Sequence, residues 1–116
     1  MKPLYLYIAA GLAALTLTEA ASAQTVRVAD TDQTRVATVH YADLDLSSRE
    51  GAKSLIRRVR QASDAVCGGA PSIANLNGQV IYDECMARTS DAAIRKLDRP
   101  LVSVIYRGSS PELAMR

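Results

Sequence analysis

The chain has no Trp and no Phe, a single His and only two Cys among 116 residues. The aromatic shortage means that Val, Leu, Ile, Ala and Met must supply the core, because Tyr is the only ring available. With one imidazole, His40, a zinc site of the usual Cys and His composition has too few ligands. Charge of one sign is also missing, since 14 Lys and Arg stand against 12 Asp and Glu, a net charge of +2. That is too mild for a nucleic-acid binder, whose domains carry a marked basic stripe. No G-x-S-x-G, no P-loop and no dinucleotide-binding fingerprint occurs, so the residues imply no nucleotide cofactor.

What is present begins with an address. Residues 1–23 place Lys2 before an apolar run from Leu4 to Leu17 and end in Ala21, Ser22 and Ala23, the pattern of a cleavable signal peptide. The run is shorter than the roughly 20 residues a membrane-spanning helix needs. Cleavage after Ala23 leaves a chain from Gln24 with Tyr41, Tyr82 and Tyr106 as its aromatics and no further membrane segment. Residence in the periplasm or the medium follows.

An exported chain of this size buries a modest fraction of its surface and gains from a covalent staple. Cys67 and Cys85, 18 positions apart, are expected to form a disulfide, because the compartment is oxidising and the count is even. Closing such a loop stabilises by about 3 kcal/mol in the chain-entropy account. The spacing is unlike a redox-active C-x-x-C pair.

The remaining residues read as β-β-α-α-β. Alternating residues 24–30 and 35–41 predict two short strands around a turn at Asp30, Thr31, Asp32 and Gln33, although Val36 and Val39 fall on opposite faces. Ser47 followed three positions later by Glu50 reads as a capping box opening a helix. Ala52, Leu55, Ile56, Val59, Ala62 and Val66 form its apolar stripe, and Gly68 with Gly69 ends it. Residues 70–78 read as a loop and 79–97 as a second helix, stopped at Asp98, Arg99 and Pro100. Residues 101–106, with three β-branched side chains in six, predict a third strand. From Arg107 onward the composition predicts a frayed tail. The expected architecture is α+β: one small domain over residues 24–106, with two antiparallel helices joined by the disulfide and packed on a small antiparallel sheet.

Val39-His40-Tyr41-Ala42-Asp43-Leu44-Asp45-Leu46-Ser47-Ser48, then Gly51, Leu55, Arg57 and Arg58, then Val66-Cys67-Gly68, and finally Cys85 with Ala87 and Ala92, resemble the UrcA family of small exported bacterial proteins. The resemblance spans roughly residues 36–97. It implies a signal peptide, a paired-cysteine helical core and residence in the envelope or outside the cell, and it implies no activity.

Two constellations carry the functional options. His40, Asp43 and Asp45 could hold a cation or move a proton, as in a small metal-dependent or hydrolytic enzyme. The plainer reading is helix-start structure, where carboxylates are favoured by the unpaired N–H groups and the dipole. Lys53, Arg57, Arg58 and Arg60, with Arg49 one turn before, form a basic face that could meet lipid headgroups, anionic glycans or an acidic protein partner. Without interleaved aromatics this face is not a base-stacking platform for nucleic acid. The residues point to a non-enzymatic binding or structural module with no metal site and no cofactor.

Overall fold

A computed structural model of the chain describes residues 24–30, 32 and 34–109. The expected signal peptide, residues 31 and 33 of the expected turn, and residues 110–116 of the expected tail lie outside the described residues. The elements are β1 (Thr25–Ala29), β2 (Val36–His40), α1 (Arg49–Val66), α2 (Leu76–Leu97) and α3 (Pro100–Ser109). The class is α+β as expected, and the order is β-β-α-α-α.

β1 and β2 pair antiparallel, with Val26 opposite Val39 and Val28 opposite Ala37. The period of two sends Val26, Val28 and Val39 into the core and leaves Val36 on the open face. Asp30 organises the turn, its carboxylate accepting from Thr34 N at 2.9 Å, Thr34 Oγ1 at 2.8 Å and Arg35 N at 3.2 Å. Thr34 and Arg35 donate what the Asp side chain was expected to take up.

α1 starts one residue later than the Ser47-to-Glu50 pattern predicts. Ser48 is the N-cap, accepting from Gly51 N at 3.0 Å while its hydroxyl donates to Asp45 O at 2.9 Å. Ser47 is engaged instead with the Asp45 carboxylate. Gly51 decides the register, because a Cβ there would lie 1.9 Å from the Asp45 carbonyl oxygen. Only a glycine lets the first turn of α1 seat on that backbone. The helix then buries Ala52, Leu55, Ile56, Val59, Ser63 and Val66, and it ends as predicted, with Gly68 and Gly69 at φ of 85° and 81°. Gly69 N donates back to Asp64 O, which satisfies a carbonyl of the last turn.

α2 begins three residues before the predicted start. Asn75 Oδ1 accepts from Gly78 N at 2.9 Å, so Leu76, Asn77 and Gly78 are its first turn and not loop. Its contacts with α1 step backward along α1 as they step forward along α2, from Cys67–Cys85 to the hydrogen bond between Ser63 and Ser90, as in an antiparallel pair.

The third strand predicted at residues 101–106 is α3, a helix. Asp98 turns the chain in the left-handed region at φ of 47°, and Pro100 occupies the first helical position, where its fixed φ is preorganised. Val102 and Tyr106, four apart, are buried while Val104 is 65% exposed. A strand would have put all three on one face. β-branched side chains disfavour a helix only slightly, and packing on α1 overrides that preference here. Arg107, Gly108 and Ser109, expected to fray, complete α3, and Ser109 Oγ donates to Tyr106 O at 2.9 Å.

One buried cluster unites the elements: Val26, Val28 and Val39 of the hairpin, Leu46, the α1 stripe, Ala93 and Ile94 of α2, and Val102 and Tyr106 of α3. Among the described residues Tyr106 is the one buried aromatic ring in it, and Tyr41 packs partly buried against it.

Candidate functional site

Cys67 and Cys85 form the expected disulfide, with Cα atoms 5.9 Å apart. Cys67 is the C-cap of α1, and Cys85 lies midway along α2, so the bridge ties the exit of one helix to the body of the next. Thr89 Oγ1 is 3.8 Å from each sulfur. One turn away, Tyr82 donates its hydroxyl to Asp64, and the neighbouring carboxylate pushes the phenol up to about 12. A cleft of about 350 Å³ opens beside the bridge, lined in part by Arg35, Ile81 and Tyr82. Among the described residues no cysteine is free, and the bridged sulfurs offer no thiolate nucleophile.

His40 and Asp43 share Arg58 as a partner, while Asp45 is held by Ser47. Asp43 pairs with Arg58 in a two-pronged salt bridge, Oδ1 to Nη1 and Oδ2 to Nη2, both 2.7 Å. Arg58 also donates to the His40 carbonyl oxygen at 2.8 Å. Its guanidinium therefore joins the end of β2, the connecting turn and α1. Hydrogen bonding to Arg58 holds the Asp43 carboxyl down at about 2 and raises Arg58 in turn. Asp45 accepts from Ser47 N at 3.0 Å and from the Ser47 hydroxyl, which lowers its pKa. The His40 side chain is on the exposed face of β2. Among the described residues no three His, Cys, Asp or Glu side chains converge as metal ligands would.

The basic face divides. Arg58, about 100° around the helix from Arg57, turns toward Asp43 and is a structural tie. Lys53, Arg57 and Arg60 converge instead on a cleft of about 220 Å³ between α1 and α3, together with Ile56, Ile105 and Ser109. Arg57 donates to Ser54 Oγ at 3.0 Å, and Arg60 donates to Ser109 Oγ at 3.1 Å with its guanidinium carbon 5.7 Å from the centroid of the Tyr106 ring. Ile56 and Ile105 give the cleft an apolar floor, and among the described residues no carboxylate lines it. Ile105 was missed from sequence because residues 101–106 read as a strand, and Ser109 because it fell in the expected frayed tail. The separation of Arg58 from Arg57 was available in the helical period, which sets neighbours apart while aligning Lys53 with Arg57.

Comparison of the chain with models of protein families, with curated proteins and with solved structures finds no match.

Proposed function

We propose that the chain is an exported bacterial envelope protein, periplasmic or secreted, that acts by binding and not by catalysis. The observation that carries this reading is the Cys67–Cys85 disulfide at the junction of α1 and α2. Such a bridge persists in an oxidising compartment and is reduced in the cytosol. The signal-peptide pattern of residues 1–23 and the resemblance to the UrcA family support the same address. The binding surface is the cleft lined by Lys53, Arg57 and Arg60, of which Lys53 and Arg57 are exposed and make no ion pair among the described residues.

A native mass spectrum of the protein recovered from the envelope and medium of its own host, with a denaturing run beside it, tests the proposal. The expected species starts at Gln24, is two hydrogens lighter than the reduced chain, and carries a partner or adduct that is lost in Lys53→Glu with Arg57→Glu. A full-length reduced chain would overturn export. An oxidised chain whose adduct survives both reversals would remove the cleft from the account.

A further inference from the structure

Arg49, Lys53, Arg57 and Arg60 recur at helical spacing and occupy about 80° of arc over about 16 Å of α1. Lys53 and Arg57 are exposed and make no ion pair among the described residues. Alongside them runs α3, on which Leu101, Val104, Ile105 and Gly108 fall at positions i, i+3, i+4 and i+7, one strip of a helix. The inner edge of that strip, Ile105, lines the cleft with the three cations, and its outer member Val104 is 65% exposed. Charge and apolar surface thus stand side by side on one edge of the molecule.

That pairing selects among anions. A free phosphate is held by donors that converge in a buried cradle, whereas Lys53 and Arg57 extend into solvent. A soluble anionic glycan offers charge but nothing for Val104. An anionic bilayer offers both, with headgroup phosphates outside and the first methylenes a few ångströms deeper. We propose that the α1/α3 edge docks the protein on anionic lipid, Lys53 and Arg57 meeting headgroup phosphates while Val104 and Ile105 rest at the level of the first methylenes. The proposal rests on the reading of the chain as an exported binding protein and names the surface that it binds. Since the whole chain carries a net charge of only +2, the attraction comes from this local arrangement.

The test is co-sedimentation of the exported, oxidised protein with vesicles of phosphatidylglycerol and phosphatidylcholine, or of phosphatidylcholine alone, at low salt. Binding is expected only to the anionic vesicles. Lys53→Gln with Arg57→Gln should weaken it about 25-fold, at about fivefold per basic residue. Arg27→Gln with Arg35→Gln removes the same net charge from the hairpin, which makes no contact with α3, and should leave binding within about threefold. Val104→Asp should weaken binding further at an unchanged melting temperature, since that side chain is exposed. Equal losses in the two double variants would overturn the cleft as the site. Binding to heparin without binding to anionic vesicles would overturn lipid as the ligand while leaving the exported binding protein standing. Recovery of the protein full-length and reduced would contradict export, and the charge variants would still report on the cleft.

Discussion

α2 is two helices' worth of behaviour in one. Residues 76–88 contain no buried side chain, and Leu76, Val80 and Ile81 stand 76%, 58% and 61% exposed. Residues 89–97 bury Thr89, Ser90, Ala93 and Ile94. A short helix in water is marginal without tertiary packing, so the first half needs another anchor. It has the Asn75 cap, the Tyr82 hydroxyl on Asp64 and, above all, the bond from Cys85 to Cys67. In the second half the core does this work, through contacts of the kind that α1 makes along its whole length. The lesson is that the domain depends on oxidation locally: the bridge holds the part of the fold that burial does not.

The sharpest contrast comes from matched truncations. Leu55→Ala, at a side chain with no exposure, should lower stability by about 2 to 5 kcal/mol in urea unfolding, while Val80→Ser should stay within about 0.5 kcal/mol. Equal effects would erase the distinction between core-held and bridge-held regions. Replacing both Cys67 and Cys85 by Ser should cost about 3 kcal/mol, read as a lower thermal midpoint.

At the start of α1, Gly51→Ala should destabilise by about 1 to 3 kcal/mol despite the better helix propensity of Ala, because the new methyl meets the Asp45 carbonyl. A stabilised variant would mean that the turn before α1 yields freely. The smallest effect varies with pH only in acid. Asp43 titrates at about 2 when folded, below the usual carboxylate value, so the Arg58 pair contributes above about pH 4 and is lost as pH falls through about 2. Asp43→Asn should therefore show a shallower loss of stability over that window, with a constant difference from the parent above it. A residual slope remains from Asp30 and Asp45, whose carboxyls are also held low by hydrogen bonds.

Much of this architecture is legible in the residues. Alternation in Val26 and Val28 marks β1, the stripe from Ala52 to Val66 marks α1, and the even pair of Cys67 and Cys85 in a short chain marks the bridge. Illegibility has physical causes too. Residues 101–106 are β-branched enough to read as a strand, and only the Pro100 start and the four-residue spacing of Val102 and Tyr106 argue for the helix that α1 stabilises. Asn77 and Gly78 have loop composition, yet the Asn75 side chain converts them to a first helical turn. The cleft needed α3 to be a helix, so half of its wall was hidden with it. Arg58 could not be assigned to Asp43 from local pattern, because the pair spans 15 positions and forms only when β2 and α1 meet.

Hydrogen exchange along α2, compared between the oxidised protein and the protein with its disulfide reduced, tests the division most directly. Reduction should accelerate exchange first and most in residues 76–88, while residues 89–97 and the α1 stripe keep their protection until global unfolding. Equal acceleration in both halves, or none in either, would contradict that division.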